Sequence, residues 1–203
     1  MEKIRLHTGF KSVFVVNSIG RNGGLALLWS LEVELDIQNY SQRYINAVVK
    51  TNGEGEAWKF TGLYGYLEVA KRKESWTLLC HLGNLMPTAW LSIGDYNEII
   101  EDSEKVRGNL KPRGQMEAFR GALEDCCLTN LGFLGPRYTW NNGQEGQNFV
   151  IERLDCAMAN DKWRDIFPIY KVEVLASRFS DHASVLLTFQ KNIPFRQRRR
   201  GLL

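Results

Sequence analysis

Two short segments carry side chains that could do chemistry. Phe179-Ser180-Asp181-His182-Ala183 stands directly before the apolar run Ser184–Phe189, and Trp90-Leu91-Ser92-Ile93-Gly94-Asp95-Tyr96-Asn97 ends another apolar run in polar groups. The Asp181 carboxylate can ligate a hard cation through oxygen. The adjacent His182 imidazole can move a proton near neutral pH. Asp95 accepts and orients, while Asn97 both donates and accepts. In Glu152-Arg153-Leu154-Asp155, strand alternation places Arg153 and Asp155 on one face. A carboxylate there could hold His182 by its ring N–H, fixing the tautomer and raising basicity. Tyr64, at the end of Phe60-Thr61-Gly62-Leu63-Tyr64-Gly65, could donate its hydroxyl to a phosphate oxygen. Brought together at strand ends, these groups can build a phosphate-cleaving site.

Each piece alone has a plainer reading. Residues 94–98 read as an Asx-rich turn, His182 as a structural histidine beside a strand, and Arg153 with Asp155 as a surface ion pair. Tyr64 reads as an ordinary strand tyrosine. Glu101, Asp102 and Glu104 read as a solvated acidic loop, and His7 and His81 have no chemical neighbours.

The elements that must position these groups follow from periodicity. Val13–Val16 and Gly24–Trp29 are apolar runs of strand length around a turn-rich stretch, Asn17–Gly23. Val33, Leu35 and Ile37 alternate with polar residues as a half-buried strand does. Tyr44–Val49 and Trp58–Tyr64 flank Asn52-Gly53-Glu54-Gly55, a hairpin signal. Val69, Trp76, Leu79 and Leu82 then share a helical face ending before Pro87. Trp90–Gly94 is a short buried strand, and Gln115–Cys126 a second amphipathic helix. Asn160 caps a third short helix bearing Trp163, Ile166 and Phe167. Tyr170–Leu175 and Ala183–Phe189 close the chain as strands. The order predicts an α/β sandwich with mixed sheets.

At 203 residues, 44% hydrophobic and 24% charged, the chain can bury one sizeable core. One domain over residues 1–190 is expected, followed by a basic tail, 191–203. That tail holds Lys191, Arg196, Arg198, Arg199 and Arg200 and no acid. Removing those five from 26 basic residues leaves 21 against 23 acids, so residues 1–190 carry a net −2. The tail can touch phosphates or serve as a nuclear-import patch, or be a terminus without a role. No apolar run reaches membrane-spanning length, and the first residues lack a signal-peptide core, so an intracellular protein is expected. Cys80, Cys126, Cys127 and Cys156 have no metal-type spacing and are expected as buried small apolar residues in a reducing compartment.

The ordered set Tyr-Gly, Gly-Asp-x-Asn, Arg-x-Asp and Ser-Asp-His resembles the endonuclease/exonuclease/phosphatase superfamily. More narrowly, the chain resembles the endonuclease domain of plant LINE-type (non-LTR) retrotransposon polyproteins. The residues that carry the likeness are Gly20–Trp29, Phe60–Gly65, Gly94–Ile99, Gln115–Arg120, Gly135–Trp140 and Glu152–Asp155, within about Phe14 to Phe189. The resemblance implies two packed mixed β-sheets flanked by helices, a four-layer sandwich, with the site at one edge between the sheets. It implies Mg²⁺-dependent phosphodiester hydrolysis with DNA as partner and no membrane. By it Asp181 holds the metal, His182 meets the scissile phosphate or activates water, and Asp155 orients His182. Asp95 positions the attacking water, while Asn97 and Tyr64 bind phosphate. Tyr96 stands where the family often has Phe. The family opens with an Asn-bearing strand and then a strand ending in the main Glu ligand, and neither motif is found here. A domain incomplete at its N-terminus, with impaired cleavage, is therefore expected. Two other readings stay open: a non-catalytic remnant that binds nucleic acid weakly, and a small-molecule phosphatase of the same fold.

Overall fold

The computed structural model of the chain describes residues 2–19, 24–50, 56–177 and 180–190. The Gly20–Gly23 and Asn52–Gly55 turn signals, Phe179 and the basic tail lie outside the described residues. Strands β1 (Ser12–Val16) and β2 (Leu25–Trp29) form an antiparallel hairpin. Next come β3 (Glu34–Ser41), β4 (Tyr44–Lys50), β5 (Trp58–Tyr64) and β6 (Trp90–Asp95). Four two-residue strands follow: β7 (Lys105–Val106), β8 (Thr129–Asn130), β9 (Trp140–Asn141) and β10 (Ile151–Glu152). The last three are β11 (Asp155–Ala159), β12 (Ile169–Leu175) and β13 (Ser184–Gln190). The helices are α1 (Glu2–Thr8), α2 (Arg72–Leu85), α3 (Arg113–Asp125) and α4 (Asp161–Ile166).

The central layer is a six-stranded mixed sheet ordered β3-β4-β5-β6-β11-β8. Within it β5 and β6 run parallel, because α2 supplies the crossover that a parallel pair needs; its other ladders are antiparallel. Alternation along each strand splits the core in two. On one face Leu63, Trp90, Cys156 and Met158 lie under Trp76, Leu79 and Leu82 of α2 and Phe119 and Leu123 of α3. Trp76 stacks on Phe119 with ring centroids 4.4 Å apart. On the other face Phe60, Leu91, Ile93 and Ala159 meet Trp163 and Phe167 at α4 and Leu187 of β13. Lys59 is fully buried on the helix face, where its Nζ donates to the Leu82 carbonyl at 2.8 Å and lies 3.8 Å from the Trp90 ring centroid. It thereby serves a carbonyl in the last turn of α2, and burial lowers its pKa to about 8.

Opposite α2 and α3, the hairpin β1–β2 packs over β4 and β5, and the hairpin β12–β13 packs over β11. The expected second sheet is thus two separate two-stranded ladders among the described residues, with an apolar cleft of about 450 Å³ beside Leu28, Trp58 and Phe189. Asn160 does cap α4: its Oδ1 accepts from Trp163 N at 3.0 Å and from Trp90 N at 2.9 Å. Helix α1 was not foreseen, since it buries none of its residues and so has no apolar stripe to read. Among the described residues no helix is long and apolar enough to cross a membrane.

Candidate active site

Three strands bring their ends to one rung. Tyr64 pairs with Asp95 across the parallel β5–β6 ladder, and Asp155 pairs with Asp95 across the antiparallel β6–β11 ladder. Residues paired in register share a face, so all three project toward the hairpin side. Two glycines allow the strands to close here. A Cβ on Gly94 would come within 1.9 Å of the Leu63 carbonyl oxygen, and one on Gly65 within 2.4 Å of the Tyr96 carbonyl oxygen. Tyr96 turns inward instead: it is fully buried and its hydroxyl donates to Ser92 Oγ at 2.8 Å. That accounts for a tyrosine at a position where a phenylalanine would also fit.

His182 reaches this rung from the loop before β13. The loop is stitched to the segment before β9, with Ala183 N donating to Thr139 O at 2.7 Å and Asn141 N to Asp181 O at 3.0 Å. Thr139 is buried, and its Oγ1 accepts from both Leu154 N and Asp155 N at 2.9 Å. One threonine therefore fixes the backbones of Asp155 and Ala183 together. The outcome is a 2.8 Å hydrogen bond between His182 Nδ1 and Asp155 Oδ2, with His182 Nε2 4.0 Å from Asp95 Oδ2. The hydrogen bond to Asp155 raises the His182 pKa against its burial, and Asp95 and Asp181 add to the rise.

Asp95 is pushed up to about 6 by burial and by Asp155, against hydrogen bonds from Asn97 and attraction to His182. Asn97 N donates to Asp95 Oδ1 at 2.9 Å, which closes an Asx turn, with Asn97 itself at φ 55°. The Asx turn thus forms, and Asp95 keeps its place on the rung. The Asn97 side chain donates to Asp95 Oδ2 at 3.1 Å and to Gly65 O at 3.0 Å. Through these bonds Asn97 clamps Asp95, and it also borders the cavity beside His182. Burial raises the Tyr64 pKa, and Asp95 adds to this. Asp181 is exposed, and its Oδ2 accepts from Trp140 Nε1 at 3.3 Å.

Asp95, Asp155 and His182 offer ligand atoms that all lie within 4.8 Å of one another. Asp181, expected as the metal ligand, lies outside that group, on the rim. The cluster fits a divalent cation on charge: burial first and the neighbouring Asp155 second disfavour the charged form of Asp95, and a cation between the two carboxylates would favour it.

No protein-family profile and no curated protein matches the chain. Solved structures do. The endonuclease domain of TRAS1, a telomere-specific non-LTR retrotransposon, aligns with a TM-score of 0.65 at 14% identity, over 90% of this chain and 80% of that one. The 3′ phosphatase NExo from Neisseria, bound to product DNA hairpin, gives 0.62 at 15% identity, over 94% and 82%. An endonuclease/exonuclease/phosphatase family protein from Leptotrichia buccalis gives 0.58 at 16% identity, over 93% and 75%. The chain has the endonuclease/exonuclease/phosphatase fold. In that fold the rung of Tyr64, Asp95 and Asp155 lies at one edge, between the central sheet and the hairpins.

Three expectations are corrected by the geometry. Arg153 and Asp155 do not share a strand face, because β10 ends at Glu152 and β11 begins at Asp155. Arg153 is no surface partner of Asp155 either: it is buried, its guanidinium 3.7 Å from the Phe133 ring centroid and its Nε 3.7 Å from Glu104 Oε1. Glu104 is likewise buried rather than solvated, and its Oε2 accepts from Ile100 N at 2.6 Å. Sequence reasoning also passed over a buried ion chain beside the site. Arg72 pairs with Glu98 at 2.8 Å; Lys111 bridges Glu98 at 3.3 Å and Glu152 at 2.8 Å; and Lys105 closes on Glu152 at 2.8 Å. Arg72, Lys105, Lys111 and Glu152 line a cavity of about 440 Å³ that also borders Asn97, Trp140 and His182. The one available signal was Glu98, which directly follows the Gly-Asp-x-Asn run.

Proposed function

We propose that the chain is a slow, divalent-cation-dependent phosphodiester hydrolase acting on DNA. The observation that carries this reading is His182 held through Nδ1 by Asp155 at 2.8 Å while its Nε2 faces Asp95 at 4.0 Å. An imidazole fixed between two carboxylates favours the protonated state, and it can donate to a phosphate oxygen as charge builds there. Asp95, half-buried on the rung and facing His182, is placed to orient an attacking water. Asn97 keeps that carboxylate aimed. Tyr64 offers its hydroxyl on the same rung. A cation held by Asp95 and Asp155, with Asp181 on the rim, would neutralise phosphate charge and orient the ester. Among the described residues no glutamate joins the cluster. Where the resemblance makes a glutamate the chief ligand, weak cation binding and slow turnover follow.

Plasmid nicking tests the reading. Purified protein with Mg²⁺ or Mn²⁺ should nick supercoiled DNA well below the roughly 1–10³ s⁻¹ of ordinary enzymes. His182→Ala should lower that rate by about 10²-fold or more. Nicking that survives His182→Ala or EDTA would sink the proposal. Phosphate release from a 3′-phosphorylated hairpin without nicking would move the substrate from diester to monoester.

A further inference from the structure

Cys80 lies in α2, and Cys126 directly follows α3 as its C-cap. Packing of the two helices brings Cys126 Sγ to 3.7 Å from Cys80 Sγ. Both are half-buried free thiols; Cys127 is exposed and only Cys156 is buried, which corrects the expectation of four buried cysteines. A cavity of about 530 Å³ opens on the pair, bordered by Cys80, Gly83, Trp90, Cys126 and Cys127. Gly83 keeps that space clear, since a Cβ there would stand 3.5 Å from Cys126 Sγ and 3.1 Å from the Trp90 ring. We propose that Cys80 and Cys126 form a reversible oxidation site, at which a hydroperoxide entering this cavity yields a disulfide that staples α2 to α3.

The geometry makes this a pair rather than two lone thiols. A disulfide needs the sulfurs at about 2.05 Å, with Cβ atoms about 3.8 Å apart. The two sulfurs, 3.7 Å apart on half-buried side chains at the edge of the helix-face core, stand in van der Waals contact, and side-chain rotation has to close the remaining gap. Burial and the neighbouring Cys80 push the Cys126 thiol up. The attacking sulfur acts as its thiolate, and of the two Cys80 is the acceptor of the Cys126 S–H contact. Its sulfur takes one peroxide oxygen, the O–O bond breaks, and one water leaves. Cys126 sulfur then attacks the sulfenic acid, the S–S bond forms, the S–O bond breaks, and the second water leaves. Two thiols and one hydrogen peroxide give one disulfide and two waters. Trp90, packed in the same cluster, belongs to the helix face of the sheet, whereas the Tyr64–Asp95–Asp155 rung projects to the hairpin face, so the staple leaves the candidate active site untouched.

The full chain is treated with a modest excess of hydrogen peroxide, quenched and digested with trypsin without reduction. Thiols titrated under denaturing conditions should fall from four to two, with an intact mass lower by about 2 Da. Peptide 74–105 should be joined to peptide 121–137. The link should persist in Cys127→Ser, vanish in Cys80→Ser and in Cys126→Ser, and reverse with dithiothreitol. Closing a loop of this length should raise Tm by about 5 °C or more. Four titratable thiols after peroxide would overturn the proposal. So would a link lost in Cys127→Ser, or a mass gain that dithiothreitol does not remove.

Discussion

Asp95 holds its proton more tightly in the folded protein than an ordinary carboxyl does, because burial and Asp155 act against its charge. A carboxyl normally titrates near 4, so between about pH 4 and 6 the native chain binds a proton the unfolded chain has lost. Stability from this group is therefore greatest below about pH 4 and falls as pH rises toward 6. His182 acts in the same direction higher up: its raised pKa stabilises below about 6.5, and that contribution fades as pH passes through the folded value. In EDTA, Tm should thus fall between pH 4.5 and 7.5. Asp95→Asn should show a decline smaller by about 2–6 °C, measured by scanning calorimetry at matched ionic strength. Equal slopes would show that the carboxylate is not strained by its neighbours. Residue types alone left each of these groups a plainer reading, and only their order along the chain joined them. In the structure Tyr64, Asp95, Asp155 and His182 lie together, with His182 on Asp155 and Tyr64 beside Asp95 on the rung. Thr139, Glu98 and Glu104 were not legible. A threonine that accepts two backbone N–H groups, or a glutamate buried against an arginine, looks in sequence like any surface residue. Their meaning lies in contacts with distant segments.

Among the elements, α4 shows how one side chain can anchor two. The Asn160 Oδ1 caps the helix at Trp163 N and also accepts from Trp90 N at the start of β6, while its Nδ2 donates to Thr88 O at 2.8 Å. Asn160→Ala removes all three bonds and leaves the Trp90 N–H without its acceptor. The expected loss is about 2–3 kcal/mol in urea unfolding, more than a simple cap would give. A loss below about 1 kcal/mol would mean the tie to β6 carries nothing. The cap itself was readable, because an asparagine before Asp161 and three residues ahead of a tryptophan fits the N-cap pattern. The long strands were readable too, from alternation. The four two-residue strands β7–β10 were not, since so short a ladder has no period and is set wholly by its partners.

At the scale of the molecule, the site edge is braced by the ion chain running from Arg72 through Glu98, Lys111 and Glu152 to Lys105. It ties the start of α2 to β7 and β10 and to the loop after β6. Despite its burial, hydrogen bonds from Lys105 and Lys111 hold Glu152 below its ordinary pKa. Lys111→Met should cost about 2–3 kcal/mol at pH 7, because each glutamate keeps one cation but loses a buried partner. The deficit should shrink as pH falls through the depressed Glu152 value, and urea titrations at pH 7 and at acid pH would reveal it. A pH-independent loss would point to packing instead. This bracing was invisible in sequence because its five members span residues 72 to 152.

The shared rung of β5, β6 and β11 also governs which insertions this lineage can survive. Adding or deleting one residue inside Trp58–Tyr64 or Trp90–Asp95 would turn Tyr64 or Asp95 onto the helix side of the sheet. Two residues would restore the facing but slide the group roughly 7 Å along its strand. A length change that keeps the rung must therefore fall in the loops, and the pleat enforces a spacing code that point mutation alone cannot rewrite.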